Sequence, residues 1–276
     1  MAPETWTFWK MHGLGNDFVV VDARAGEVPL PPALVTALAD RHRGIGFDQL
    51  AVIGAADGGA DAHLTFYNAD GSTSGACGNA TRCIGHHLMA ENGTAQVTLT
   101  TEFGTLAAVA RPDGLTAVNM GHPRTAWAEI PLGRDVDTDA LPLPGAPVAT
   151  SMGNPHCTFF VEDADAIDLN DYAHVETDAL FPERTNVQVA ARLSDDAFRV
   201  RVWERGVGRT LASGSSACAV ACAAIRTGRA EARKVRLQME GGWLEVEWRE
   251  DGMWMAGETA HVFTGVLTAE FLERLG

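Results

Sequence analysis

Two positions in this 276-residue chain combine a reactive side chain with the predicted start of a helix. Cys77 lies in ACGN and Ser213 lies in ASGS, and each is followed by Gly and then by a stretch rich in small residues. A thiol at a helix N-terminus lies near the positive end of the helix dipole and near unpaired backbone N–H groups, and both favour the thiolate. Cys77 is therefore a candidate base, and Ser213 is its candidate partner.

The backbone N–H groups beside these side chains predict an anion site at each helix start. They belong to Gly78 and Asn79 in the first stretch, and to Gly214 and Ser215 in the second. A carboxylate held between two such helix starts would leave one acid–base group on each side of its α-carbon. That geometry suits removal of the α-proton from one face and its return at the other, which is racemisation or epimerisation. We expect no metal and no pyridoxal cofactor, because the two helix dipoles would stabilise the developing charge.

The sequence around both positions is duplicated. Residues 66–93 are repeated at 202–228, and a shift of 136 positions aligns Cys77 with Ser213. Upstream, the segments GNDFVVVD at 15–22 and GNPHCTFFVED at 153–163 repeat with an offset of 138. Each copy reads as an apolar strand, a Gly-rich turn and a helix, which predicts a duplicated α/β unit with a cleft between the copies.

Polar side chains at predicted turns and strand edges are candidates for substrate recognition. Glu204 and Arg205 place a carboxylate beside a guanidinium, a pair that matches an ammonium and a carboxylate on a substrate. His156 follows Pro155 and reads either as an ordinary turn histidine or as part of the repeated turn. The remaining candidates are Asn16, Asn68, Asn154 and Asn186.

Composition limits the partners and the compartment. A net charge of −15 argues against binding to nucleic acid or to an anionic membrane. The N-terminal stretch lacks a secretory signal pattern, and five cysteines without such a signal favour reduced thiols in the cytoplasm. We therefore expect a small-molecule substrate. A homodimer is one assembly that the sequence allows.

The sequence disfavours several other kinds of functional site. Cys83, Cys218 and Cys222 lie inside Ala-rich helices, where core packing is the simpler interpretation. Cys77 and Cys83, six residues apart, do not share a helix face, which disfavours a zinc site with His86 and His87. The GIG and GVG turns at 44–46 and 206–208 lack the third glycine of a dinucleotide fingerprint, and position 213 lacks the pattern of a nucleophile elbow.

With these motifs in view, the chain resembles the diaminopimelate epimerases. The resemblance rests on MHGLGNDF (11–18), FYNADG (66–71), ACGNATRC (76–83), MGNPH (152–156), RTN (184–186) and VWERGVG (202–208). It implies cofactor-independent inversion of one α-carbon of LL-diaminopimelate to the meso form, a step towards lysine and peptidoglycan precursors. It also implies that Cys77 is the first catalytic cysteine, with Gly78–Asn79 and Gly214–Ser215 as the carboxylate cradle. The substrate contacts that it implies are Asn16, Gln49, Asn68, Asn154, Asn186, Glu204 and Arg205.

The resulting expectation is an α/β (α+β) fold of two pseudo-symmetric duplicated domains. Each would be a mixed or antiparallel sheet wrapped around a central helix, with the active site in the interdomain cleft. The domains would span 1–121, joined by the C-terminal segment 265–276, and 122–264. The Pro- and Gly-rich segment 121–147 is the predicted linker. Periodicity predicts a first core helix at about 79–90 and strand pattern over 148–161.

Two departures from the family pattern stand out. Ser213 occupies the place of the second catalytic cysteine, and Arg209 stands where the family usually has Glu. A hydroxyl is a much weaker acid than a thiol, so a symmetric two-base reaction should slow severely in at least one direction. Three explanations stay open: an engineered Cys→Ser, a lineage that tolerates Ser, or a changed reaction. The alternatives are a related racemase or one-base dehydratase for another amino acid, and a non-catalytic amino-acid-binding homologue.

Overall fold

The computed structural model describes residues 5–56, 58–102 and 104–274, and the chain divides into two compact units. The first unit comprises Met1–Val118 and Glu258–Gly276, and the second comprises Asn119–Gly257. The strands, in chain order, are β1 (Trp6–Gly13), β2 (Asn16–Asp22), β3 (Gln49–Gly54), β4 (Ala62–Asn68), β5 (Thr73–Ser74), β6 (Gln96–Thr101), β7 (Gly104–Ala110), β8 (Thr116–Asn119), β9 (Val148–Ser151), β10 (Pro155–Val161), β11 (Asn186–Ser194), β12 (Ala197–Glu204), β13 (Gly208–Thr210), β14 (Lys234–Met239), β15 (Gly242–Arg249), β16 (Gly252–Gly257) and β17 (Ala260–Leu267).

Helices are few. They are α1 (Pro32–Ala39), α2 (Gly78–Asn92), α3 (Gly214–Arg226) and α4 (Ala269–Glu273), with a 3-10 helix at Leu169–Thr177. Among the described residues, no helix is both long enough and apolar enough to cross a lipid bilayer.

The strand pairing of the first unit is repeated in the second. In the first unit β2 pairs with β3, and β4 with β6, in parallel, while the other neighbours from β1 to β8 are antiparallel. In the second unit β10 with β11, and β12 with β14, are the parallel pairs within an otherwise antiparallel series from β9 to β16. This shared order confirms the predicted mixed-sheet fold of two pseudo-symmetric halves. Strand β17 adds to the first unit by pairing with β1.

One helix packs at the centre of each unit. Helix α2 contacts β1, β2, β6 and β7, and α3 contacts β9, β10, β11, β14, β15 and β16. The sequence of α3, GSSACAVACAAIR, is small and apolar on all sides, as expected of a helix that a sheet surrounds. The buried Cys83, Cys218 and Cys222 lie in these two helices, which confirms their predicted packing role.

The observed boundaries refine the predicted elements. Helix α2 is longer than the predicted 79–90, and it ends at Gly93, whose φ of 65° is a left-handed conformation that glycine adopts without strain. The strand pattern predicted over 148–161 is two strands, β9 and β10, that pair antiparallel across a turn at 152–154. The predicted C-terminal segment 265–276 contains α4, and residues 275 and 276 lie outside the described residues.

The Pro- and Gly-rich segment 121–147 forms no helix or named strand, and all of it is described. Its apolar side chains nevertheless enter the core of the second unit. Ile130, Leu132 and Leu141 are buried there against Phe159 and Phe181. The segment therefore packs as part of that unit, because burying these side chains removes apolar surface from water.

We expect Leu141→Ala to lower the free energy of unfolding by about 2–5 kcal/mol, because it leaves a cavity in a packed core. Urea unfolding followed by tryptophan fluorescence measures this loss. Leu193→Ala is the matched control: Leu193 is 51% exposed, and its truncation should change stability by less than about 0.5 kcal/mol. Equal midpoints for the two variants would show that the segment does not contribute to the core.

Candidate active site

The pairing pattern of the first unit collects polar side chains at one edge of its sheet. Strands β2 and β3 run parallel and start at this edge, and antiparallel β4 ends there. Asn16 opens β2, Gln49 opens β3 and Asn68 closes β4. Gln49 and Asn68 are register partners, and the Gln49 Nε2 donates to the Asn68 Oδ1 at 3.0 Å.

Cys77 is the residue that caps α2. Its backbone is extended, with φ −145° and ψ 101°, and its Sγ accepts a hydrogen bond from the Ala80 N–H at 3.4 Å. The thiol is half-buried. The N–H groups of Gly78 and Asn79 lie in the first turn, where the helix itself supplies no acceptor. These features place a thiol next to a helix start with unused N–H donors, the kind of site at which anions bind.

A chain of amide contacts links the helix start to the turn before β2. The Asn79 Nδ2 donates to the Asn16 Oδ1 at 3.2 Å, and the Asn16 Nδ2 donates to the Asp48 Oδ2 at 2.9 Å. At the other end, the Arg82 Nη1 donates to the Asn79 Oδ1 at 3.0 Å. Each contact fixes which end of an amide faces which neighbour, so the chain orients both asparagines.

The second unit builds the corresponding sheet edge. Parallel strands β10 and β11 start there, with His156 opposite Asn186, and antiparallel β12 ends there at Glu204. Asn154 lies in the turn just before β10, and the backbone N–H of Met152 donates to its carbonyl oxygen. The predicted contacts of this half therefore lie at one edge.

Ser213 caps α3 in nearly the same backbone conformation as Cys77, with φ −141° and ψ 120°. Serine at this position usually bonds the N–H of the second or third helical residue. Here its side chain makes no capping bond to any described residue of its helix. The hydroxyl is buried, with 5% of the residue exposed, and it follows a strand–turn–helix path like that of Cys77.

His156 connects Asn154 to α3. Its Nε2 lies 2.9 Å from the Asn154 Oδ1, and its Nδ1 lies 2.9 Å from the Gln188 Nε2, which also donates to the Ser216 Oγ at 3.0 Å. Because the Gln188 amide N–H is the donor, the Nδ1 accepts and the Nε2–H donates to Asn154. Complete burial, together with the charge of Arg205, lowers the pKa of His156 to about 3. The ring is therefore neutral at physiological pH and leaves the Asn154 NH₂ group for another acceptor.

The turn that carries Glu204 and Arg205 is held from several sides. The Asn186 Oδ1 accepts from the Arg205 backbone N–H at 3.0 Å, and the Arg205 Nη1 donates to the Glu183 carbonyl oxygen at 2.9 Å. The Thr210 hydroxyl donates to the Glu204 Oε1 at 2.7 Å. The carboxylate of Glu176 accepts from the Gly206 N–H at 2.8 Å.

Arg209, the second departure from the family pattern, forms an ion pair. Its Nη2 lies 2.8 Å from the Glu240 Oε2, and Arg201 lies 3.0 Å from the Glu240 Oε1. The two arginines hold the pKa of the Glu240 carboxyl below its usual value despite burial. The pair accounts for an arginine at this position without involving Ser213.

The remaining thiols lie inside the cores, and none of the five cysteines, all of them described, forms a disulfide. Burial raises the pKa of Cys83 and of Cys222 to about 11, and it also raises the pKa of Cys157 and of Cys218. These four thiols are therefore neutral at physiological pH, while Cys77 alone among the five is half-exposed.

Sequence reasoning missed the residues that support the candidates. Glu176 and Gln188 carry no motif signal, because each acts through a partner far along the chain, and the ACGNATRC motif gives Arg82 no role of its own. Glu176, for example, accepts from the Trp203 Nε1 at 2.8 Å across 27 residues. For Gln188, an amide inside the apolar, buried first part of β11 is the signal that could have found it.

Comparison with known proteins identifies relatives over nearly the whole chain. The family model described as diaminopimelate epimerase matches residues 8–126 and 148–262. A diaminopimelate epimerase from Acidiphilium cryptum is 48% identical over 271 residues, covering 96% of this chain and 97% of that protein. One from Rhodospirillum centenum is 45% identical over 272 residues, covering 96% and 93%.

Solved structures with little sequence identity share the fold. A phenazine biosynthesis protein of the PhzF family from Bacillus anthracis has a TM-score of 0.69 at 14% identity, covering 96% of this chain and 99% of that one. A hydroxyproline epimerase from Agrobacterium vitis has a TM-score of 0.65 at 15% identity, covering 96% and 93%. At such identities these matches establish the architecture alone.

The neutral, buried His156 should make the stability of the protein depend on pH in acid. Its folded pKa of about 3 lies below the ordinary 6.5, so its stabilising contribution is complete above about pH 6.5 and is lost as the pH falls towards 3. The loss between pH 7 and pH 3 is roughly 4 kcal/mol, from about 1.4 kcal/mol for each pKa unit.

We therefore expect His156→Gln, which removes this titration, to narrow its stability difference from the parent protein as the pH falls from 7 to 4. Urea unfolding at several pH values measures the difference. A difference in the free energy of unfolding that stays constant from pH 7 to pH 4 would exclude a neutral buried histidine at this position.

Proposed function

We propose, because this chain belongs to the diaminopimelate epimerase family, that it inverts one α-carbon of LL-diaminopimelate to give the meso isomer. The reaction moves a proton at the α-carbon and is an isomerisation of an amino acid. We propose that it proceeds without a cofactor. The observation that carries the proposal is the half-buried thiol of Cys77 at the start of α2, with Ser213 at the matching start of α3.

The helix starts support a role in binding the carboxylate next to the reacting carbon. The backbone N–H groups of Gly78 and Asn79, and those of Gly214 and Ser215, are donors that their helices leave unused. We propose that they hold this carboxylate. The same N–H groups would stabilise the negative charge that spreads onto the carboxylate when the α-proton leaves.

The polar side chains at the two sheet edges suit the distal amino-acid group of the substrate. Arg205 and the Asn154 NH₂ group are donors for a carboxylate, and Glu204 is an acceptor for an ammonium. His156 is completely buried, so we propose that it contributes to binding by orienting Asn154. The other proposed contacts are Asn16, Gln49, Asn68 and Asn186.

Ser213 makes the two faces of the reaction unequal. The Cys77 thiolate takes the α-proton and becomes a thiol, and the electron pair of the C–H bond passes into the carbanion. The Ser213 hydroxyl then gives its proton to the opposite face of that carbon, and water restores the proton of the resulting alkoxide. In the reverse direction Ser213 must begin as an alkoxide, which is scarce at neutral pH.

The rate of α-proton exchange with retention and the rate of inversion should therefore differ. The isomer whose α-proton faces Cys77 can lose that proton and regain one from the same thiol, without any help from Ser213. Inversion needs both groups, and because the equilibrium between the isomers is fixed, it slows in both directions. Exchange with retention should thus be faster than epimerisation.

Two further proposals concern the setting of the enzyme. A reaction that depends on a reduced thiol, and that supplies precursors made inside the cell, fits the cytoplasm. Val262, Phe263 and Val266 in strand β17 are each about half exposed, and exposed apolar side chains on the first unit support a homodimer.

The first test is α-proton exchange followed by NMR in D₂O with LL- and meso-diaminopimelate. We expect the parent protein to incorporate deuterium into one isomer faster than it interconverts the two. Ser213→Cys should raise the inversion rate by about 10²–10⁴-fold, the usual contribution of a well-matched acid or base. Cys77→Ser in the parent background, which leaves no thiol at either helix start, should abolish both processes.

Other outcomes point to other functions. Binding of diaminopimelate without exchange, even in Ser213→Cys, would identify an amino-acid-binding homologue. Absence of binding, with water loss or α-exchange from a different amino acid in a panel, would identify a dehydratase or another racemase. Either result would overturn the epimerase proposal.

Arg205 provides a test of substrate recognition. Arg205→Met removes a guanidinium that the Glu183 carbonyl orients, and we expect the KM for diaminopimelate to rise about 10- to 100-fold, as loss of a charged hydrogen bond of about 1.5–3 kcal/mol implies. Arg209→Met is the matched control, because it removes an exposed arginine that pairs with Glu240. If both variants raise the KM equally, Arg205 affects substrate binding only through the net charge of the protein and not through a direct contact.

A further inference from the structure

Arg82 is a completely buried arginine inside α2, with 0% of the residue exposed. Its Nη1 donates to the Asn79 Oδ1 at 3.0 Å, and its Nη2 donates to the Glu258 carbonyl oxygen at 3.2 Å. Arg82 lies three residues after Asn79, so both side chains lie on the same face of the helix. The guanidinium thus sits one turn behind the helix start that Cys77 caps.

The absence of a side chain at Gly13 leaves space for this guanidinium. A Cβ on Gly13 would lie 2.7 Å from the Arg82 Nη2 and 3.3 Å from the Asn79 Cβ, so a larger residue in β1 would displace the charge. The glycine at position 13 is therefore matched to the arginine at position 82. A buried cation is costly unless polar groups surround it, and here a carbonyl and an amide oxygen do so.

The charge of Arg82 can stabilise a thiolate at Cys77 more effectively than at Cys83. Burial lowers the pKa of Arg82, yet a guanidinium stays protonated in proteins, and thiolates at Cys83 and Cys77 favour that protonated form. The effect is reciprocal, so the cation favours a thiolate at either position. Burial nevertheless keeps the pKa of Cys83 at about 11, which leaves half-exposed Cys77 as the thiol that can respond.

The matching helix of the second unit has no such cation near its start. The 136-residue shift aligns Arg82 with Cys218, and the sequence of α3, GSSACAVACAAIR, carries its one charged residue at its last position. Ser213 therefore lies at the start of a helix whose own first turns carry no charged side chain. The two halves differ in electrostatics as well as in the identity of the capping residue.

We infer that Arg82 is a positioning residue with two separable effects: its charge keeps Cys77 as the resting thiolate, and its bond to Asn79 orients the amides at the helix start. This inference deepens the proposed function, because it assigns the role of resting base to the first unit. Its test requires no substrate, since the reactivity of a thiol towards iodoacetamide reports the thiolate directly.

The experiment measures the pH dependence of the alkylation of Cys77 in the parent protein, Arg82→Lys and Arg82→Met, with intact-mass detection. We expect Arg82→Met to move the midpoint up by about one pH unit and to slow alkylation near neutral pH about tenfold. Arg82→Lys should keep the midpoint, because it keeps the charge. It should raise the KM for diaminopimelate about tenfold, because a lysine ammonium does not reproduce the planar bond to Asn79.

Two controls keep the result interpretable. Arg43→Met removes an exposed arginine, whose side chain is 87% exposed, and should change neither the midpoint nor the KM. Gly13→Ala keeps the arginine but displaces its Nη2, and it should shift the midpoint in the same direction as Arg82→Met by a smaller amount. Circular dichroism shows whether each variant is folded.

A folded Arg82→Met with an unchanged alkylation profile would overturn the electrostatic role, and so would a Gly13→Ala variant with the parent profile if Arg82→Met did not fold. Failure of the epimerase proposal is a separate result: the alkylation midpoint would shift as expected while no variant exchanged the α-proton of diaminopimelate.

Discussion

The structure depends on a helix start that is packed against a sheet yet keeps its first N–H groups available. Helix α3 packs inside its sheet with a surface of alanine, cysteine and valine, which is small and apolar on all sides. Its first turn must also leave donors unused, which every helix does. The parallel pairs β2–β3 and β10–β11 then bring strand starts to the same edge, so short polar side chains collect there.

The two halves stabilise this helix start with different chemistry. In the first unit a chain of hydrogen bonds runs from Arg82 through Asn79 to Asn16, and it begins at the charged guanidinium. In the second it runs from Ser216 through Gln188 and His156 to Asn154, and burial keeps its histidine neutral. A duplicated backbone thus carries two electrostatic environments, one suited to an anionic thiol and the other to a neutral hydroxyl.

Duplication explains how much of the site the sequence could predict. Repeats at fixed offsets indicate Cys77 with Ser213 and the two Gly-Asn turns, because local patterns such as strand, glycine turn and helix are written in consecutive residues. Arg82 and Glu176 are different: besides Asn79, Arg82 bonds the Glu258 carbonyl oxygen, 176 residues away along the chain, and Glu176 bonds Trp203, 27 residues away. Segment 121–147 misleads for a related reason, since proline and glycine indicate irregular backbone but not whether its leucines are buried.

The missing capping bond of the Ser213 hydroxyl bears on the role of this residue. A serine retained only to cap a helix would bond a backbone N–H of the first turn, and within the described residues of α3 it makes no such bond. Its φ lies within a few degrees of that of Cys77, so the backbone presents both side chains in the same way. Exchange of sulfur for oxygen at this position therefore changes acid strength far more than shape. In the proposed reaction it leaves recognition to the same amides and side chains, and confines the difference to the proton-transfer steps.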